Sequence, residues 1–578
     1  MKASQTIDFD DSLRSDILIE NVAAIARLEP ERIFAKLLFR NKAPVTITYG
    51  RLLTEGGRYA TLYKEKGVPP GSVVVIILDH GEEILYAFVG ALLYGAVPSI
   101  FAQPSVKIAP DEYSRTISRL LDVCDTRFLV TGRDIASQLP PDAARRDGLR
   151  LIFSDEYETR RATLDLPPSD PQAIILLQHS SGTTGLKKGV ALSNRSIINQ
   201  LRNYVLTLAL NSSDKIASWL PLYHDMGLIA CFVLPMACRI PLVLMSPFEW
   251  VSRPVLLFDA IQVERCTLSW MPNFAYNFLA SRLTDEDITG IDLASMRAFI
   301  NCAEPISFRS HELFYEKFKS IGVRREMLCT CYAMAENTFA VTQGGIREPV
   351  AADVIDPKAL REEQRAVPAD ERTVARDTIV SSGTAIPNNE IRIFGVGRRG
   401  LPERSVGEIA IRSDSILTEY YRRPELTAEA VRDGWYFTGD LGYLAEGNLF
   451  VIGRIKDTII VAGKNLYPHD IEEIASAVPG IHPGRVVAFG VYNEAIGTEE
   501  VIILAETEVS DPKRQLPIKL AVAKAIREQL ECIANEIVLL PPLWLIKSSS
   551  GKISRPGNRE KYLRELVQSN GMVQKAEA

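Results

Sequence analysis

The chain has 578 residues, too many for one hydrophobic core, so two or more domains are expected. Its 46% hydrophobic and 24% charged residues are ordinary globular values. A formal net charge of −6 with no lysine- or arginine-rich run argues against a nucleic-acid partner.

The N-terminus, MKASQTIDFDDSLRSDILIE, carries acids where an export signal needs an apolar core. The apolar runs Val73–Leu78 and Ile174–Leu177 are far too short to span a bilayer and read as buried strands. A cytoplasmic protein without a membrane span is expected. Ser72–His80 (SVVVIILDH) is strand-like, and EEILYAFVGALLYGAV after it has helical apolar spacing. RFLVTG (Arg127–Gly132), GLRLIFSD (Gly148–Asp155) and AIILLQHSSG (Ala173–Gly182) repeat the strand theme between helical segments. The alternation predicts α/β layers with largely parallel sheets.

The polar stretch from Gly344 to about Asp377 is a linker, a disordered loop or a helical surface insertion. A second boundary falls at GRIKDTIIVAGKN, after which enough chain remains for a small α/β domain. Eight cysteines are scattered, and Cys329 with Cys331 lacks the second pair or histidines of a zinc site, so reduced, buried thiols are expected.

The segment richest in chemistry is Ser180-Ser181-Gly182-Thr183-Thr184-Gly185-Leu186-Lys187-Lys188-Gly189. Glycines let backbone amides turn toward an anion, hydroxyls add donors and lysines add positive charge. Such a loop suits a triphosphate, and it is not the G-x-x-x-x-G-K-[ST] loop of P-loop enzymes.

This segment resembles the phosphate loop of the adenylate-forming superfamily, and the resemblance recurs in order along the chain. NCAEPIS (Asn301–Ser307) resembles the adenine-contacting stretch and YAMAENT (Tyr332–Thr338) the loop with a magnesium-facing glutamate. YFTGDLG (Tyr436–Gly442) resembles the ribose-binding motif, GRIKD (Gly453–Asp457) the hinge, and SSSGKISR (Ser548–Arg555) the loop with the catalytic lysine. The resemblance implies a large N-terminal adenylate-forming domain of layered sheets and helices, residues 1–453, plus a small mobile α+β C-terminal domain, residues 454–578.

It also implies the roles. Ser180, Ser181, Gly182, Thr183, Thr184, Gly185 and Lys188 would hold the phosphates of ATP. Ala303, Glu304 and Pro305 would contact adenine, and Tyr332, Ala333 and Met334 would also bind the nucleotide. Asp440 and Arg454 would bind ribose, and Lys456 would be the hinge. Glu336, with Thr184, would face Mg2+, a hard cation that prefers oxygen. Lys552 would bridge the carboxylate and the α-phosphate. His224, in LPLYHDMGLI, would shape the acid pocket rather than act as a base, since the attacking carboxylate is already ionised at neutral pH.

LYHDMGLI, PNFAY (Pro272–Tyr276) and AGKNLYPHDIE (Ala462–Glu472) resemble the fatty acyl-AMP ligase branch more than CoA ligases. That branch carries an insertion after the glutamate loop, where the polar stretch around 344–377 falls, thought to restrain the C-terminal domain and hinder CoA use. It implies activation of a fatty acid as acyl-AMP with release of pyrophosphate. The acyl group would then pass to the phosphopantetheine thiol of a separate acyl carrier protein. An acyl-CoA synthetase is the alternative, and a non-catalytic nucleotide- or acyl-binding protein ranks below both. Lys187, where the family has proline, and Ala333, Ala335 and His179 depart from the pattern without removing a charge the chemistry needs.

Overall fold

A computed structural model describes residues 13–104, 110–139, 148–180, 188–371, 373, 375–461, 464–494, 496–547 and 552–567. The run Val73–Ile77 is β-branched and wholly buried, as a strand covered on both faces must be. It pairs in parallel with Val97–Ile100 and Phe128–Thr131, and the latter with Arg150–Phe153. The helix Glu82–Tyr94 between the first two starts on two acids, which favour its positive end, and stops at Gly95, φ 81°. Midway, Gly90 lets it press on the helix Tyr49–Glu65. A Cβ there would lie 2.4 Å from that of Tyr59 and 2.7 Å from the Gly56 carbonyl oxygen.

The largest sheet has 14 strands. Ile33–Leu38, Leu242–Met245, Ile216–Ser218, Leu268–Met271, Ala298–Cys302 and Leu328–Ala333 lie side by side and parallel. Beyond them the sheet continues antiparallel through Ala340–Gly344, Thr384–Ala385, Asn448–Arg454, Trp435–Ala445 and Gly407–Ser413 to Asn389–Phe394. The α/β reading is borne out. The segment Ile174–Ser180 departs from the parallel expectation: it pairs antiparallel with Lys188–Ser193, and Glu419–Tyr420 joins the far side. Hydrophobic alternation reports burial but not strand direction.

After Arg454 the chain forms a turn at Ile455–Asp457, a hairpin of Ile459–Val461 with Lys464–Leu466, and a three-stranded sheet. Helices Pro468–Ser476 and Pro512–Leu530 cover that sheet over a core of their own, including Ile471, Val501, Ile503, Val522 and Ile526. The polar stretch is ordered where it is described. Ala352–Ile355 pairs with Asp377–Val380, and Asp356 caps the helix Pro357–Glu362 between them. All eight cysteines are unpaired and buried. Among the described residues no helix is long and apolar enough to cross a membrane.

Candidate active site

The carboxyl ends of neighbouring parallel strands are where an open α/β sheet gathers a site. Ala298–Cys302 and Leu328–Ala333 run parallel with Cys302 opposite Cys331, so the residues after them, Ala303 and Tyr332, emerge side by side. Ala303 sits at φ 72°, a left-handed conformation that strains an alanine. Its carbonyl oxygen accepts a 2.6 Å hydrogen bond from Lys552 Nζ, which lies 249 positions later in the sequence. Glu304 Oε2 accepts from the Phe274 amide at 2.9 Å, at the start of the helix Asn273–Arg282. Pro305 is exposed, and Ala333 and Met334 are half-buried beside Tyr332.

Asp440 and Arg454 face each other across two antiparallel strands. Arg454 Nε lies 3.1 Å from Asp440 Oδ1, and the Tyr332 hydroxyl donates to Oδ2 at 2.6 Å. Burial pushes the Asp440 carboxyl above its ordinary value, while the Arg454 charge and the Tyr332 hydrogen bond pull against it. Tyr332, Asp440 and Arg454 thus form one connected group.

Glu336 lies in the tight turn Ala335–Asn337, followed by Thr338 at φ 61°, an unfavourable conformation for a β-branched residue. Thr338 is held there by a 2.7 Å bond from its hydroxyl to the Ser415 carbonyl. The Tyr420 hydroxyl donates to Glu336 Oε1 at 3.0 Å and lies 3.0 Å from the Tyr436 hydroxyl. Lys188 Nζ stands 4.4 Å above the Tyr420 ring, a cation–π contact. Burial raises the Glu336 pKa, and the Lys188 charge acts in the opposite sense. Ser180 ends the strand Ile174–Ser180; Ser181, Gly182, Thr183, Thr184 and Gly185 lie outside the described residues.

His224 Nδ1 is 2.7 Å from Asp225 Oδ1. Because the partner is a carboxylate, Nδ1 carries the proton and donates. Asp225 also accepts from the Met226 amide at 2.8 Å, capping the wide π-helical run Met226–Val233. Burial presses the Asp225 carboxyl upward, yet the His224 hydrogen bond and charge, with the charge of Lys552, hold it below the ordinary carboxylate value. The same carboxylate acts electrostatically on Glu336. Asp225 therefore links Lys552, Glu336 and His224, and nothing in its spacing singled it out. Tyr420, donor to Glu336, was equally hidden. Replacing Asp225 with asparagine keeps the cap but removes the charge. Adenylation, measured as pyrophosphate release, is expected to fall roughly ten- to a hundred-fold, the scale of losing a residue that orients a ligand.

The segment following Lys552 is tied down by Arg555, which bonds Glu472 and donates to the Ala488 carbonyl at 2.6 Å, with Asp457 of the turn 3.7 Å away. Lys456, in that turn, is exposed.

The AMP-binding enzyme family matches residues 23–421, well over half of the sequence. The chain belongs to that family. It is 31% identical over 536 residues to the medium-chain-fatty-acid–[acyl-carrier-protein] ligase JamA of Moorena producens, covering 88% of this chain and 89% of JamA. It is 28% identical to the long-chain-fatty-acid–AMP ligase FadD26 of Mycobacterium bovis, covering 85% of this chain and 87% of the relative. A solved structure from a study of fatty acyl-adenylate ligases of E. coli and L. pneumophila superposes with a TM-score of 0.89 at 29% identity, over 95% of this chain and 98% of its own.

Proposed function

We propose that this family member activates a fatty acid with ATP as acyl-AMP and then transfers the acyl group to the phosphopantetheine thiol of a separate acyl carrier protein. The observation carrying the reading is that Lys552, Ala303, Tyr332, Asp440, Arg454, Glu336, Lys188 and the His224–Asp225 pair, far apart in sequence, are joined by direct contacts and mutual charge effects.

In the first step a carboxylate oxygen attacks the α-phosphorus, the bond to the β-phosphate oxygen breaks, and pyrophosphate leaves. Two anions must approach, so positioning and charge neutralisation dominate. Tyr332, Asp440 and Arg454 would hold adenosine, and Lys188 would balance charge on the phosphate side. Lys552 would neutralise the oxygens brought together, and His224, fixed by Asp225, would line the acid side. Among the described residues no three His, Cys, Asp or Glu side chains gather to hold a metal. One buried carboxylate, Glu336, fits Mg2+, which is commonly held by one or two carboxylates and substrate phosphates. There the ion would supply positive charge to the phosphates. In the second step the thiol sulfur attacks the acyl carbonyl, losing its proton, and AMP leaves. We assign the swing between steps to residues 454–578 about Lys456.

Pyrophosphate release with a panel of fatty acids, then product analysis with CoA or a phosphopantetheinylated carrier, tests the reading. Efficient acyl-CoA formation would replace the carrier with CoA. The insertion bears on that choice. Glu362 pairs with Lys464 at 2.6 Å, and Ile355, Leu360 and Ala366 share a core with Tyr467, so the insertion grips the segment meant to move. Shortening 356–376 to a tight turn is expected to raise the rate of acyl-CoA formation about ten-fold, within the usual range of such couplings. An unchanged CoA rate would make the insertion a passive surface element.

A further inference from the structure

Loading a carrier protein requires somewhere for that protein to sit, and the chain as a whole is acidic, as carrier proteins are. A favourable encounter therefore needs a local reversal of sign. The helix Pro512–Leu530 provides one, with Lys513, Arg514, Lys519, Lys524 and Arg527 against the single acid Glu528. Its inner face is accounted for: Val522, Ile526 and Leu530 are buried in the C-terminal core and Ile518 packs against it. Directly opposite, at helical spacing, run Lys513, Leu516, Leu520, Lys524 and Arg527.

The two leucines stand in that outward row 57% and 62% exposed, one turn apart. Helix exteriors are ordinarily polar, so a leucine pair flanked by cations is not a solvation pattern. Of the five basic side chains, only Lys524 has an ion partner among the described residues, Glu528 at 3.7 Å. The charge is thus mostly unspent.

We propose that this face, Lys513, Leu516, Leu520, Lys524 and Arg527, is the docking surface for the acidic acyl carrier protein. The inference rests on the carrier-loading half of the proposed function. The leucines supply a small desolvated centre and the cations an electrostatic rim, the division of labour expected of a transient protein interface. Placement suits the chemistry. The helix covers the sheet containing Val486–Asn493, whose Ala488 carbonyl holds Arg555, so the surface is built on the same unit as the Lys552 loop. A carrier seated there travels with that unit as it swings. The other partner for leucines among lysines is an anionic membrane, but interfacial helices turn a broad apolar face outward. Here the broad apolar face is inward.

The test uses the full-length enzyme and one phosphopantetheinylated acyl carrier protein that it loads. Two variants are compared, K513E/K524E/R527E and L516S/L520S, all at solvent-facing positions, with folding checked by thermal denaturation. Each is expected to raise KM for the carrier about ten-fold while carrier-free pyrophosphate release stays unchanged. Wild-type KM should climb with salt and that of the charge variant should not. A carrier KM within two-fold of wild type in both variants overturns the proposal. So does wild-type flotation with phosphatidylglycerol vesicles that the variants lose at unchanged carrier KM, which assigns the face to membrane. A wild-type enzyme that releases pyrophosphate but loads no carrier removes both the docking surface and the transfer step, leaving adenylation intact. Absence of pyrophosphate release instead defeats the activity itself.

Discussion

Lys552→Ala is expected to lower kcat/KM for adenylation about a thousand-fold, the scale on which losing one positioned charge at a polar transition state is felt. That corresponds to about 4 kcal/mol of transition-state stabilisation. The ammonium reaches the site from near the C-terminus and, among the described residues, hydrogen-bonds the Ala303 carbonyl. A methyl group leaves that carbonyl to water and supplies nothing to the converging carboxylate and phosphate. Transfer from a supplied acyl-adenylate to the carrier involves no such convergence and should fall only a few-fold. Stopped-flow measurement of the two half-reactions separates these outcomes, and equal losses in both would contradict the assigned role. Lys552→Arg should recover little, since a planar guanidinium does not reproduce the compact point charge of an ammonium.

Glu336→Gln should lower adenylation about a hundred-fold and raise the magnesium concentration giving half-maximal rate about ten-fold or more, because an amide oxygen is a much weaker ligand for a hard cation. The amide still accepts from Tyr420, so the turn keeps its hydrogen bond. The stability effect should have the opposite sign. Burial raises the Glu336 pKa, meaning that the folded state disfavours the charge. A neutral isostere relieves that cost at neutral pH, and the thermal midpoint should hold or rise as activity falls. A variant destabilised and fully active would show that Glu336 serves the fold.

Much of this arrangement was legible in residue order, and the exceptions share a cause. Lys552, Glu336 and Asp440 sit in segments that resemble the superfamily's motifs, so each could be picked out before any contact was known. Tyr420 could not. It reaches Glu336 because Glu419–Tyr420 pairs with Lys188–Ser193, a partnership between remote segments that neither one encodes locally. Asp225 stands beside a residue already singled out, yet its importance comes from a π-helical run and from a lysine hundreds of positions away. From composition alone the polar stretch after Gly344 read as linker, loop or insertion, and only the family resemblance favoured the insertion. Its few apolar residues, Ile355, Leu360 and Ala366, find Tyr443, Phe450 and Tyr467, and no window of sequence contains both sides of that core.

The bond from the Phe274 amide to Glu304 has a consequence for how the two substrates sense one another. On the function proposed above, we place the helix it begins on the acid side and Glu304 in the stretch beside the nucleotide. A long or bulky acid that shifts the helix must therefore drag its neighbour. Such a linkage is reciprocal by thermodynamic necessity, so whatever discrimination between acids nucleotide imposes, the acid returns as a change in nucleotide affinity. Selectivity in this enzyme would then belong to the pair of ligands together, and no chain-length preference could be assigned to the hydrophobic pocket in isolation.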